Sequence, residues 1–165
     1  MGSDALFLVF DTSAAHCAAA VVQGDVVLAE AVEPMARGQA EALVPLLQRL
    51  MAVAGGDLSD LIALGVGIGP GNFTGTRIAV ATARGLALAI GRPAIGVSSF
   101  DLMRDPAGLG TEQAEIVSVS APRDMAYVCH YRHGIPRAAP RLIDPARPPE
   151  DLRLAAKLRV TGHRA

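Results

Sequence analysis

Two stretches of this chain carry residue types that could do chemistry. One is Asp11-Thr12-Ser13. The other is the glycine string Gly67-Ile68-Gly69-Pro70-Gly71-Asn72-Phe73-Thr74-Gly75-Thr76-Arg77. A carboxylate followed by two hydroxyls can help hold a metal-bound phosphate. Bare amides at a helix N-terminus attract anions. Asp11, Thr12, Ser13, Gly69 and Gly71 are therefore the candidate residues of a nucleotide site. Its completeness is doubtful on chemical grounds. The string is not a Walker A loop, because no Lys-Ser/Thr follows the last glycine, and it does not have the spacing of a dinucleotide fingerprint. Pro70 removes one amide. Mg-ATP chemistry needs paired carboxylates, and the later segment Ser118-Val119-Ser120-Ala121-Pro122-Arg123-Asp124 offers serine first and an aspartate only after Pro122 and Arg123. The expected site is vestigial.

Other chemistries find less support. The histidines are His16, His130, His133 and His163, and neither His-x-x-x-His nor His-Glu-x-x-His occurs. His130 and His133 lie three apart in an expected strand and so are expected on opposite faces. No Gly-x-Ser-x-Gly elbow is present. Cys17 and Cys129 both sit in apolar segments with no Cys-x-x-Cys pair, which reads as two buried, reduced thiols. The expectation is no catalytic residue, no metal and no cofactor.

The elements that must position these residues follow from hydrophobic period. Leu6 to Phe10 reads as a buried strand, Cys17 to Val22 as a second and Val26 to Val32 as a third, turned at Gly24-Asp25. Gln39 to Ala54 switches to helical period, with Leu43, Leu47 and Leu50 on one stripe and Pro45 inside it. Gly55-Gly56 stops that helix. Leu61 to Ile68 is a buried strand. A helix to about Ile90 follows, capped by Asn72 or Thr74. Pro93 to Val97 is a strand, and Ser98 to Arg104 begins a helix. After a Pro106–Gly110 linker, Glu115 to Ser120 and Met125 to Tyr131 read as strands and Asp151 to Leu158 as a short helix. The order βββαβαβα is that of a ribonuclease-H-like lobe of the actin-like and sugar-kinase-like ATPases (the ASKHA class). The expected architecture is α/β, with a first lobe over residues 1–104 and a second over 105–165.

Composition bounds the rest. The 165 residues are 51% apolar, 19% charged and 4% aromatic, with no Trp, and their mean hydropathy is +0.35. Thirty alanines and 17 glycines supply much of that apolarity, so packing must rest on close backbone approach. The net charge of −1 implies no bulk affinity for nucleic acid or membrane. It is unevenly spread: residues 1–120 sum to −6 and residues 121–165 to +5, and 14 of the 15 basic residues are Arg. A basic tail of this kind faces an acidic partner or RNA, or reflects drift in composition. The N-terminus has no basic n-region, and the apolar run Ile78 to Ile90 carries Arg84 and is too short to span a bilayer. A cytoplasmic protein is expected.

The helix from residue 72 to 90 is apolar over most of its surface. Gly75, Ala79, Ala83 and Ala87 form a smooth i+4 ridge, with Arg77 and Arg84 opposite. One buried face cannot satisfy such a helix.

Taken together, Phe10-Asp11-Thr12-Ser13, Leu43-Val44-Pro45-Leu46-Leu47, Gly69-Pro70-Gly71-Asn72-Phe73-Thr74-Gly75-Thr76-Arg77, Arg84-Gly85-Leu86-Ala87 and Ile95-Gly96-Val97-Ser98-Ser99 resemble the TsaB (YeaZ) family. The Gly-Pro-Gly-x-Phe-Thr-Gly-x-Arg string is the specific part. The match covers residues 5 to 103 well and the rest loosely. The resemblance implies a non-catalytic scaffold in the bacterial synthesis of N6-threonylcarbamoyladenosine at position 37 of tRNA. It implies a TsaD-like catalytic subunit bound through a bundle of the two first-lobe helices, a TsaE-like ATPase in the same assembly, and a homodimer when the protein is alone. Contact with tRNA would be indirect, or is left open by the resemblance. Nothing in these residues supports the protease label once attached to the family. The interface residues expected on this basis are Leu43, Leu47, Leu50 and Met51 on the first helix, with Gly75, Arg77, Ala79 and Ala83 on the second. Spacing alone does not say which of them face the partner. The alternative reading is an ATP-binding phosphotransferase of the sugar-kinase type, using Asp11 and the Gly67–Gly71 loop. A metallopeptidase is a third.

The chain departs from the family pattern in two places. Gly38-Gln39 stands where a polar pair such as His-Thr is common before the first helix. The family also continues past the point where this sequence stops, so residues 106–165 are expected to be an incomplete lobe, in a naturally short or truncated chain that leaves first-lobe surface uncovered.

Overall fold

The computed structural model describes residues 5–104, 114–152 and 159–162. The chain divides into two compact units, residues 1–98 and 99–165.

In the first unit, β1 (Leu6–Asp11), β2 (His16–Gln23) and β3 (Val26–Pro34) form an antiparallel meander. β4 (Leu61–Gly67) and β5 (Ala94–Val97) add in parallel on the other side of β1, giving the order β3-β2-β1-β4-β5. Strand alternation decides which side chains go inward. Leu6, Leu8 and Phe10 of β1, Cys17, Ala19 and Val21 of β2, and Leu64 and Val66 of β4 make the core face. On the other face, Val32 and Ile95 are more than half exposed.

Two helices close the core face. α1 (Gln39–Ala54) packs on β2 and β3, and α2 (Phe73–Ile90) on β4, β1 and β5. α1 buries Leu43, Leu46, Leu47, Leu50 and Met51. It runs through Pro45 and ends at Gly55, whose φ of 72° is the left-handed conformation that glycine reaches without a Cβ penalty. Asn72 caps α2: its Oδ1 accepts from the Gly75 N–H at 2.9 Å. The order β1-β2-β3-α1-β4-α2-β5-α3 (α3 being Ser99–Met103) is the one expected.

The second unit has β6 (Glu115–Ser120) and β7 (Ala126–Arg132) as an antiparallel pair. β8 (Ile135–Pro136) and β9 (Arg141–Ile143) lie against β7, and β10 (Arg159–Gly162) runs parallel to β6. Helix α3, expected at the end of the first lobe, packs on β6 instead, through Phe100. Phe100, Val117, Val119, Cys129 and Tyr131 form one core, and Ile116, Ala126 and Val128 lie on the opposite sheet face. A buried ion pair ties this unit together. Arg104 Nε donates to Glu115 Oε2 at 2.9 Å, with both side chains under a tenth exposed, and the guanidinium stacks on Tyr131.

One expectation changes here, and two fall partly or wholly outside the described residues. His133 is not in a strand; it sits in the β7–β8 turn at φ 53°, so alternation does not place it opposite His130. Of the helix expected over Asp151–Leu158, Asp151 and Leu152 lie in a 3₁₀ turn, Glu150–Leu152, and residues 153–158 lie outside the described residues. The Pro106–Gly110 linker also lies outside them.

Candidate functional site

The two candidate turns meet. Asp11 ends β1, and its Oδ1 accepts from the Ser13 N–H at 2.7 Å and from the Ser13 hydroxyl at 2.9 Å. His16 Nε2 stands 3.5 Å from the same oxygen. This β1–β2 turn lies directly against the turn from β4 into α2. The buried Thr12 hydroxyl donates to Gly75 O at 2.6 Å, and the Asn72 N–H donates to Ser13 O at 2.5 Å.

That contact accounts for three glycines of the string. A Cβ on Gly75 would stand 1.8 Å from Thr12 O, one on Gly71 2.5 Å from Ser13 O, and one on Gly67 1.6 Å from Asp11 Oδ2. Gly69 needs glycine for a different reason, its φ of +76°. Of the N-terminal amides of α2, the Asn72 N–H donates to Ser13 O and the Gly75 N–H to the Asn72 side chain, and the Thr76 N–H makes the first intrahelical bond, to Asn72 O. The candidate nucleotide residues Asp11, Thr12, Ser13, Gly69 and Gly71 are thus gathered in one place. They pack there against one another's backbone, with Gly71 and Gly75 seated on Ser13 O and Thr12 O. Among the described residues no group of three or more His, Cys, Asp or Glu could hold a metal ion. No described helix is long and apolar enough to cross a membrane.

The same close approach orients α2, and it corrects the expected interface. Gly75, Ala79 and Ala83 point into the core, because the smooth ridge lets the helix axis come down onto the sheet. On α1, Leu43, Leu47, Leu50 and Met51 are at most 4% exposed. These six side chains and Gly75 hold the helices on the sheet and are covered while the unit stays folded. Of the eight expected positions only Arg77 is exposed.

The outward stripe of α2 is Phe73, Arg77, Ala81, Arg84, Gly85 and Leu88, at steps of three and four. Leu88 is 86% exposed and Phe73 67%. The Arg77 guanidinium lies 3.7 Å from the Phe73 ring centroid, a cation–π contact on the surface. Nothing stands within 4 Å of where a Gly85 Cβ would be, so the middle of the stripe is low and open between two large apolar ends. The outward side of α1 mixes Glu41, Gln48 and Arg49 with Val44 and Val53, the last 69% exposed. Arg77 and Arg84, seven apart and opposite the small-residue ridge, already marked this side in the sequence. What spacing could not supply was the phase of the helix on the sheet.

Both cysteines are buried and free. Burial, reinforced by the Glu33 carboxylate, pushes the Cys17 thiol up from its ordinary value. Burial pushes Cys129 up as well.

Comparison with known proteins agrees with this architecture. Residues 27–146 match the family model described as TsaD, tRNA N6-adenosine threonylcarbamoyltransferase. The chain is 38% identical over 96 residues to the Escherichia coli tRNA threonylcarbamoyladenosine biosynthesis protein TsaB, covering 58% of this chain and 41% of that protein. It is 36% identical over 146 residues to an uncharacterised Mycobacterium leprae protein, ML0378, covering 85% of this chain and 39% of the other. The chain therefore spans about two-fifths of the length of these relatives. Its fold superposes on YeaZ from Pseudomonas aeruginosa with a TM-score of 0.75 at 27% identity, over 95% of this chain and 75% of that one. With the Gly-Pro-Gly-x-Phe-Thr-Gly-x-Arg turn built between β4 and α2 as described, the chain belongs to the TsaD-related threonylcarbamoyladenosine family and, within it, to the TsaB (YeaZ) group.

Proposed function

We propose that this chain is a non-catalytic scaffold subunit in the synthesis of N6-threonylcarbamoyladenosine in tRNA, working in the cytoplasm. It binds a TsaD-like catalytic subunit through the outward faces of α1 and α2 and holds it in an active form. The observation that carries this reading is the α2 stripe from Phe73 to Leu88. It joins two strongly exposed apolar side chains to a low Ala81–Gly85 centre that would let another helix approach closely. A non-catalytic role is further supported by the turn at Asp11, which the chain packs with its own Ser13 backbone. A TsaE-like ATPase joins the assembly, and in isolation the same helices pair two copies of the chain.

Light scattering on a mixture with the TsaD-like subunit of the same genome, with and without nucleotide, tests the proposal. A 1:1 complex at micromolar concentration is expected. If each protein elutes at its own mass under both conditions, the scaffold reading is wrong. Micromolar Mg-ATP binding by the chain alone, measured calorimetrically, would instead favour the phosphotransferase alternative.

A further inference from the structure

The second unit holds a basic surface that the helix interface does not use. Strand alternation puts His130 and Arg132 of β7 on one sheet face, while Cys129 and Tyr131 point into the core on the other. Arg132 pairs with Ile135 across the hairpin, and the Arg137 N–H donates to His130 O at 2.8 Å, continuing the same register. Arg137 therefore lies opposite His130 on that face. Arg141, opposite Val128, extends the row. All four basic side chains are exposed. Arg141 is matched by Asp151. Arg132 and Arg137 have no ion-pair partner among the described residues. Among the described residues the strands of this sheet place no carboxylate on this face, where Asp151 of the 3₁₀ turn reaches only Arg141: Glu115 lies on the other face, with Val117 and Val119, paired to Arg104.

We infer that the β7–β8 hairpin is an RNA-backbone contact, in which Arg132 and Arg137 bind phosphodiester oxygens and the exposed His130 ring between them offers a further hydrogen-bonding group. Guanidinium is suited to this work. Its planar fork pairs with two phosphate oxygens, and it stays charged at any working pH. The spacing also fits an extended polyanion. Two residues along a strand separate Arg132 from His130 by roughly 6.6 Å, and Arg137 widens the row across the ribbon. The choice of RNA over an acidic protein rests on the place in tRNA modification proposed above.

The test is anisotropy of a fluorescein-labelled, unmodified tRNA transcript titrated with the full chain across a salt series. R132Q/R137Q is compared with R37Q/R92Q, which removes the same charge from exposed positions of the first unit. Loss of two phosphate contacts should weaken binding by about ten-fold or more near 0.1 M salt. It should lower the slope of log K against log salt by roughly 1.4 to 1.8. R37Q/R92Q should leave the slope nearly unchanged. Circular dichroism of each variant checks that the fold is kept. The inference falls if the chain binds no RNA, if both double variants behave alike, or if poly-L-glutamate binds as tightly as RNA, which would assign the face to an acidic protein. Light scattering of R132Q/R137Q with the TsaD-like subunit separates the two readings. RNA binding lost with the complex intact supports both, whereas RNA binding absent in the unaltered chain with the complex intact overturns this inference alone.

Discussion

Leu88→Lys is the substitution that tests the reversed helix assignment most directly. Leu88 is 86% exposed on the last turn of α2, so its replacement removes almost no contact from the folded chain. Lys is a good helix former and its charge suits a helix C-terminus, so stability should stay within about 0.5 kcal/mol of the unaltered chain. In a complex the same side chain has most of its surface left to bury. Full burial of Leu stabilises by roughly 1.5–3 kcal/mol, and 86% of that is about 1.3–2.6 kcal/mol. Losing it raises the dissociation constant roughly 10- to 70-fold, with a further increase if the ammonium must be desolvated. Leu47→Ala is the contrasting change. Leu47 is 2% exposed in the core of the unit, and truncation there should cost about 2–5 kcal/mol of folding stability. Calorimetric titration against the TsaD-like subunit, with thermal melts of both variants, reads the two effects. A Leu88→Lys chain that melts normally and binds with an unchanged constant would refute the outward α2 face as the interface.

Gly75→Ala and Gly85→Ala should move stability in opposite directions in urea titrations followed by far-UV circular dichroism. The first drives a Cβ to 1.8 Å from Thr12 O and should destabilise by about 1–3 kcal/mol. The second fills open space inside a helix and should stabilise by about 0.5–1 kcal/mol. In the second unit, Glu115→Ala strands the buried Arg104 charge and should cost about 3–5 kcal/mol, while Arg104→Met with Glu115→Leu should cost much less. Tyrosine fluorescence follows this unit alone, since the chain has no Trp and its two tyrosines are Tyr127 and Tyr131 of β7. Equal losses in the single and double variants would contradict the argument. Both thiols have pKa values raised in the folded state, so at pH 8 neither should alkylate with iodoacetamide until urea unfolds the chain. The sign follows from linkage: the stability tied to keeping these thiols neutral is present below the unfolded thiol pKa and is lost as pH rises through the folded value. Rapid labelling of Cys17 in the native chain would show that α1 does not stay docked.

Much of the fold was legible because its local signals agree. Leu6, Leu8 and Phe10 alternate with half-buried neighbours, Gly24-Asp25 turns the meander, Gly55 ends α1 and Asn72 begins α2. Each depends on a few neighbouring residues, which is the range over which propensity and capping act. The second unit was harder to read. β8 and β9 are two and three residues long, too short for a periodic pattern, and His133 enters a turn through a positive φ that its residue type does not announce. The basic face of the hairpin was visible only as an excess of Arg after residue 120, since a row across strands depends on register.

The family and the order of elements were both contained in the order of residues, because each is a statement about residue type at short spacing. Which side of α2 meets the sheet was not. That helix is apolar on more than one side, so hydrophobic period leaves its rotation undetermined, whereas the stripe of α1 is the one that is buried. The decision lies in a contact between residues 63 positions apart, where the Thr12 hydroxyl donates to Gly75 O and Gly75 has no Cβ to hold the two turns apart. That approach turns the Gly75–Ala79–Ala83 ridge inward. It leaves Phe73, Arg77 and Leu88 facing out, so tertiary packing converts a composition rich in Ala and Gly into a surface with a direction.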